Sequence, residues 1–268
     1  MILPVQTETT PLIVVQISDC HLGANLGDSL LGMDTDNSLE AVLQTVAEEV
    51  PHIDLLVVSG DVSANAEVQS YQRLAARLQN MATQVVWLPG NHDDATLMRS
   101  IVGAEHMPSS VTIGGWQLVF LNSAVPGKVA GALAKDQLDI LQQAAANELP
   151  SLVFVHHHLR ALGCAWLDEQ RIANADSVFE IVAAKPQFKA IISGHVHQQH
   201  ESLHQNIALL TTPSTCVQFA PGSDGFALDD CNPGYRGFWL GGKGQFQTRV
   251  SRVKGVTFSV DNLASGYE

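Results

Sequence analysis

The sequence predicts an α/β protein, and three observations carry that prediction. Short apolar runs alternate with amphipathic helical patterns through most of the 268 residues. A hydrophobic fraction of 46% with 15% charged residues is ample for a buried core. No break in composition marks a linker and no internal repeat is present, so one domain is the simplest organisation.

The elements follow in order. Leu12–Ile17 reads as a buried strand ending at Ser18-Asp19, followed by a polar, Gly-containing loop from Gly23 to Asp36. A helix is expected from about Ser38 to Val50, with Leu39, Val42, Leu43, Val46 and Val50 on one face and Pro51 as its stop. Leu55–Val58 is the second strand and runs into Ser59-Gly60-Asp61; a helix over roughly Ala66–Asn80 follows. Val85–Leu88 is the third strand, and Pro89-Gly90-Asn91-His92-Asp93 turns sharply after it. Later, Trp116–Leu121 reads as a strand and Gln137–Leu149 as a helix closed by Pro150. Leu152–Val155 is a strand ending in three histidines, Ser177–Ala184 a helix, and Ala190–Ile192 a strand before Ser193-Gly194-His195. After Ile207–Leu210 helical patterning stops. Thr211 to Gly237 is rich in Gly, Pro and Ser, and β-like runs close the chain near Trp239, Val250 and Phe258.

Composition excludes several classes. A formal charge of −13 argues against a nucleic-acid duplex or an anionic membrane surface as partner. No apolar stretch approaches a membrane span, and no basic amphipathic helix offers docking at a bilayer. Met1–Thr10 lacks Lys and Arg, and the apolar run after it is too short for a signal-peptide core. Cys20, Cys164, Cys216 and Cys231 form no CxxC pair and read as reduced thiols, so a cytoplasmic protein is expected. Trp239, Phe246 and Phe258 have two readings, a homodimer interface or a core beneath the C-terminal loops.

The chemistry lies in seven potential metal ligands: Asp19, His21, Asp61, Asn91, His156, His195 and His197. Each group follows an apolar run read as a strand, so all would lie at one edge of a sheet, where α/β folds collect ligands. Side chains two apart in extended chain point the same way, about 7 Å along it, so Asp19 and His21 can converge on one ion. His195 and His197 can each reach one of two neighbouring ions. Asp61, standing alone, has oxygens enough to bridge two cations, and Asn91 adds a neutral ligand. Gly60, Gly90 and Gly194 supply tight turns before ligands. Oxygen and imidazole donors without thiolate suit Mn²⁺, Fe, Zn²⁺ or Co²⁺, and two such ions are a device for hydrolysing phosphate esters. Two divalent ions against two carboxylates leave a net charge of about +2, so an acidic protein can still attract an anion. His92 is placed to protonate a departing alkoxide or contact a phosphoryl oxygen, with Asp93 to orient it. His156, directly after its strand, is taken as the ligand, with His157 and His158 as neighbours of the site; His52, His106, His200 and His204 read as surface residues. Singly, each piece has an ordinary structural reading: a loop cap, a turn, a helix cap or an edge-strand face. In this order, all at strand ends, they point to a dinuclear site.

Asp19-x-His21, Gly60-Asp61, Gly90-Asn91-His92-Asp93, His156 and Gly194-His195-x-His197 resemble the signature of the calcineurin-like metallophosphoesterases. The resemblance implies a four-layer αββα sandwich of two mixed β-sheets flanked by helices. It implies a single domain over 1–268, with 1–210 as catalytic core and 211–268 as a β-rich part capping the site. The first ion would take Asp19, His21, Asp61 and His197, and the second Asp61, Asn91, His156 and His195. His21, Asn91, His92 and His197 would face substrate, with His92 and Asp61 in catalytic roles. A narrower resemblance is to the bacterial class III cyclic-nucleotide phosphodiesterases. It rests on His156-His157-His158, Gly163-Cys164-Ala165-Trp166-Leu167-Asp168, Pro213 to Phe219 and Pro233-Gly234-Tyr235-Arg236, with Leu159 departing from the proline expected there. It implies hydrolysis of 3′,5′-cyclic AMP to 5′-AMP by in-line attack of a metal-bridging hydroxide. A broader phosphodiesterase, acting on glycerophosphodiesters or 2′,3′-cyclic nucleotides, is the alternative; a non-catalytic binding or scaffold protein on the same fold is the third reading.

Overall fold

A computed structural model describes residues 10–261 and 263–266; residues 1–9, 262 and 267–268 of the expected domain lie outside the described residues. The first half contains β1 (Leu12–Ile17), β2 (Ser29–Leu30), β3 (Met33–Asp34), α1 (Thr35–Glu49), β4 (Leu55–Ser59), α2 (Val68–Leu78), β5 (Gln84–Leu88), α3 (Ala95–Val102), β6 (Ser110–Ile113), β7 (Trp116–Leu121) and α4 (Lys135–Ala144). The second contains β8 (Ser151–Val155), α5 (Ala165–Asp168), α6 (Ala175–Val182), β9 (Phe188–Ser193), β10 (Glu201–His204), β11 (Ile207–Thr211), β12 (Gln218–Phe219), β13 (Leu228–Asp229), β14 (Gly234–Leu240) and β15 (Phe246–Arg252).

Alternation along the central strands decides the layers, because successive side chains leave opposite faces and here both faces are apolar. Val15, Ile17, Leu56 and Val58 pack under α1 and α2 against Leu39, Val42, Tyr71 and Leu74. Their neighbours Val14, Leu55 and Val57 turn the other way and meet Leu118, Phe120, Leu152, Phe154 and Ile192 of the second sheet. On that sheet's outer face Val119, Leu121, Val153 and Val155 pack under α4 and α6. The result is four layers, helix–sheet–sheet–helix. The first sheet has the order β15-β14-β1-β4-β5 and the second β10-β11-β9-β8-β7-β6. β1, β4 and β5 run parallel, as do β7, β8, β9 and β11, so their carboxyl ends gather at one edge.

Several boundaries differ from the sequence reading for local reasons. α1 starts earlier because the Asp34 side chain caps it, accepting the Asn37 N–H at 2.9 Å. The loop before it contains the β2–β3 hairpin. α4 stops at Ala144, since Ala146 and Asn147 bond three residues back, the tighter turn that ends many helices. α3, β6 and β10 were not expected. α3 begins where Asp94 accepts from Thr96 and Leu97, so the cap is Asp94 and not the Asn91–Asp93 segment. β6 and β10 are outer strands with half-exposed patterns too weak to read as buried runs. The run at Phe258 is not a strand; its ring packs against two core clusters. Phe246 meets Trp116 edge-on, Trp239 lies under the Arg249 guanidinium, and Trp239, Phe246 and Phe258 are all half-buried. Of the histidines expected at the surface, His52 is exposed, but His106, His200 and His204 are half-buried, His106 against the Val85 carbonyl and His204 on the Phe179 ring. All four cysteines are free, and no helix among the described residues is long and apolar enough to cross a membrane.

The C-terminal strands are tied in by polar groups. β14 pairs antiparallel with β1, and its fully buried Arg236 reaches across to the Thr211 carbonyl at 2.8 Å and Glu201 at 2.9 Å in the second sheet. Tyr235, Ser251 and Arg249 converge on Glu49 at the end of α1. Burial would raise the Glu49 carboxyl, but these hydrogen bonds and the Arg249 charge overcome it and hold the group below its ordinary 4.5. A depressed folded-state value stabilises the fold above the unfolded value of about 4.3, and that contribution is lost as pH falls through the folded value. Glu49→Gln should therefore lower unfolding free energy by about 1–2 kcal/mol at pH 7, with the gap to the wild type closing below about pH 4. Denaturant titration of both proteins across pH 3–7 checks it.

Candidate metal centre

Five corners meet where the parallel strands end. Asp19 and His21 follow β1, Asp61 follows β4, Asn91 follows β5, His156 follows β8, and His195 and His197 follow β9. The first two corners are stitched together: the Asp19 N–H donates to the Gly60 carbonyl at 3.0 Å and the His21 N–H to the Asp61 carbonyl at 2.9 Å. Their backbone is unusual. Asp19, His21, Asp61, His195 and His197 all lie in the left-handed region, with φ of 55°, 44°, 49°, 65° and 47°. Non-glycine residues there cost of order 1–3 kcal/mol each and persist only where the surroundings impose them, which marks functional sites. Two glycines make room. A side chain at Gly60 would strike His156 and the Gly90 backbone, and one at Gly90 would strike the Asp61 carboxylate.

The side chains converge. Asp61 Oδ2 lies 3.7 Å from His21 Nε2 and 3.2 Å from His156 Nε2, between the two groups the sequence suggested it would join. Asp19 Oδ1 is 3.5 Å from His197 Nε2 and 3.9 Å from His156 Nε2. His21 Nε2 and His197 Nε2 face one another at 3.2 Å. Backbone carbonyls set the rings: Ser59 O takes His156 Nδ1 at 2.8 Å and Val217 O takes His197 Nδ1 at 2.9 Å. A carbonyl can only accept, so those Nδ1 atoms carry protons and the Nε2 atoms face the carboxylates. Phe219 stacks on His197 with centroids 4.2 Å apart.

The donor set fits metal. Asp19, His21, Asp61, His156, His195 and His197 are at most 5% exposed. Asn91 Oδ1 and His195 Nε2 are buried without a hydrogen-bond partner, which costs about 1–3 kcal/mol apiece. Among the described residues no Lys or Arg pairs with Asp19 or Asp61; their only ion-pair partners are imidazoles. Burial pushes His21 and His195 well below the usual histidine value, so they are neutral and able to ligate. Burial works against the Asp61 charge, but His156 beside it outweighs burial and keeps the carboxyl well below the ordinary range. In turn burial would lower His156, and the charges of Asp61 and Asp19 raise it to about 9. The carboxylates thus draw positive charge inward, and a divalent ion can supply it where a proton otherwise must.

Other expected residues separate from the centre. His92 stands beside it, half-buried and edge-on to His21 at 4.9 Å; its N–H donates to Asp61 Oδ1 at 2.9 Å and its Nδ1 faces the Ala64 carbonyl at 2.9 Å. Ala64 therefore takes the place expected of Asp93. Asp93 instead accepts from Gly90, Val62 and Ser63 N–H and from the Tyr71 hydroxyl, holding two corners together. His157 has both nitrogens engaged, on the Ser123 hydroxyl at 2.7 Å and the Val129 carbonyl at 2.9 Å, whereas His156 presents Nε2 inward. His158 stacks on His195, both its nitrogens lack hydrogen-bond partners, and Nε2 is 3.9 Å from Asp168. The sequence reading missed the carbonyls of Ser59, Ala64 and Val217, which leave no signal in side-chain identity. The Pro213–Phe219 run was visible, but its role was not. Ser214 Oγ donates to the Asp19 carbonyl at 2.8 Å and braces that corner.

Comparison with known proteins agrees with this geometry. Residues 12–199 match the family model for calcineurin-like phosphoesterases. The 3′,5′-cyclic adenosine monophosphate phosphodiesterase CpdA of Pseudomonas aeruginosa is 42% identical over 259 residues, covering 96% of this chain and 95% of that protein. The protein of the same name from Escherichia coli (strain K12) is 37% identical over 259 residues, covering 95% and 94%. A dimetal phosphatase from Danio rerio has a TM-score of 0.63 at 11% identity, covering 96% of this chain and 100% of that one, a likeness of fold. This chain, over most of its length, belongs to the calcineurin-like phosphoesterase family.

Proposed function

We propose that the protein is a dinuclear-metal phosphodiesterase that hydrolyses 3′,5′-cyclic AMP to 5′-AMP. The observation that carries the reading is the buried pair Asp19 and Asp61, without Lys or Arg partners, in a chain 42% identical along nearly its whole length to a cyclic AMP phosphodiesterase. Asp19, His21, Asp61 and His197 would hold one ion, and Asp61, Asn91, His156 and His195 the other, with Asp61 between. Mn²⁺ and Fe suit these donors, as do Zn²⁺ and Co²⁺. Bound, the pair supplies Lewis acidity toward the phosphoryl oxygens and lowers the pKa of water to the working range.

The chain's own residues do the rest. His21 and His195 are kept neutral by burial, and the carbonyls of Ser59 and Val217 prevent the rings of His156 and His197 from turning. His21, Asn91, His92 and His197 surround the phosphate. Water adds to phosphorus and gives up a proton to solvent, the bond from phosphorus to the 3′-oxygen breaks, and His92 delivers a proton to that oxygen. Losing the Nε2 proton leaves His92 in the neutral Nδ1–H form that Ala64 already accepts, so the ring need not move. A cytoplasmic setting accords with the four free thiols.

Asp61→Ala should abolish metal binding and turnover together, whereas His92→Ala should keep two ions per chain and lose about 10²–10⁴-fold in kcat. Metal analysis beside steady-state kinetics separates the two; full metal content in the Asp61 variant would refute the bridging role. Dialysis against a chelator should remove activity and lower Tm, and added Mn²⁺ should restore both, because an ion that binds only the folded chain stabilises it. Finally, kcat/KM for cyclic AMP should exceed that for an aryl phosphodiester on metal-defined protein; equal values would favour the broader phosphodiesterase.

A further inference from the structure

A cleft of about 440 Å³ lies between the ends of β5 and β7, walled by Trp87, Pro89 and Phe120 and edged by Arg99, Asn122 and Gln137. Its size suits a nucleoside, within the range of small-molecule sites. Two of its residues are chain neighbours of the metal centre, and β7 pairs with β8 in the register Leu121↔Val155, so Asn122 and His156 are the next residues on adjacent strands. Pro89 is two residues from Asn91, so their Cα atoms are within about 7 Å. Asn122 precedes Ser123, whose hydroxyl holds His157 next to His156. Pro89 and Asn122, at the rim of the cleft, thus connect directly to the segments that carry Asn91 and face His156.

Its chemistry is that of a base-reading site. Trp87 and Phe120 are 3% and 4% exposed and give it a rigid aromatic foundation. The Asn122 residue is fixed from two sides: its Oδ1 accepts the Ala124 N–H at 2.9 Å, and its backbone N–H donates to Gln137 Oε1 at 2.8 Å. Its Nδ2 has no acceptor among the described residues, and Oδ1 keeps a second lone pair. A carboxamide with a donor and an acceptor available matches the N7 acceptor and N6 donor of adenine and mismatches guanine, which offers two acceptors on that edge.

We propose that this cleft seats the nucleoside of the substrate and that Asn122 reads the base, setting a preference for cyclic AMP over cyclic GMP. The proposal rests on the phosphodiesterase reading above. It is tested on metal-loaded protein by measuring kcat and KM for cyclic AMP, cyclic GMP and bis(p-nitrophenyl) phosphate, with calorimetric affinity for 5′-AMP beside that for inorganic phosphate. The wild type should favour cyclic AMP over cyclic GMP. In Asn122→Ala the ratio of kcat/KM for cyclic AMP to that for the aryl diester should fall about 10–100-fold, mostly through KM, and the preference for cyclic AMP should collapse. Affinity for 5′-AMP should fall by a similar factor relative to phosphate. Because Asn122 also holds Ala124, Ser109→Trp serves as a second variant, narrowing the cleft from its exposed rim; it too should raise KM for cyclic AMP relative to the aryl diester. Ratios within twofold of wild type in both variants overturn the proposal. A wild type that turns over the aryl diester but not cyclic AMP overturns the functional reading itself, and this proposal with it.

Discussion

Two carboxylates buried with only imidazoles to pair them are the constraint around which the rest of the molecule is arranged. Asp19 and Asp61 are at most 2% exposed, and among the described residues only imidazoles form ion pairs with them. Taking a carboxylate out of water costs several kcal/mol unless opposite charge repays it. The backbone adds its own cost, since five of the seven candidate ligands stand in the left-handed region. These terms oppose folding of the chain by itself, and bound cations would offset the electrostatic part. Ion binding and folding stability are thereby coupled at this site, as at other metal sites whose ligands are scattered along the chain.

Rigidity makes such a centre tenable. Parallel strands with both faces buried deliver their carboxyl ends to one edge, and the sandwich gives those ends little freedom. Polar clamps complete the support. Asp93 grips the Gly60 and Gly90 corners, while Ser214 and Phe219 brace Asp19 and His197. Tyr235 and Arg236 then tie the C-terminal strands to α1 and to the second sheet. Motif residues that ligate nothing are explained by this bracing.

Much of this was legible in the sequence. A strand buried on both faces must be a continuous apolar run, so β1, β4, β8 and β9 announce themselves, and the polar residues that end them stand out against that background. Outer strands such as β6 and β10 carry no such run and escaped notice. The same holds for α3, set by the Asp94 cap and its packing beside α2. Among His156, His157 and His158 the sequence offers only adjacency; the structure distinguishes them by what each ring meets.

Side-chain type and order along the chain determined the fold class, the ligand inventory and the family resemblance, because periodicity and donor chemistry are properties of residues themselves. Which nitrogen faces inward, which of three adjacent histidines turns its ring to the centre, and which loop braces a corner depended on tertiary structure. Those choices are made by backbone carbonyls and close approaches between segments far apart in the chain, and such contacts have no counterpart in any local pattern of letters.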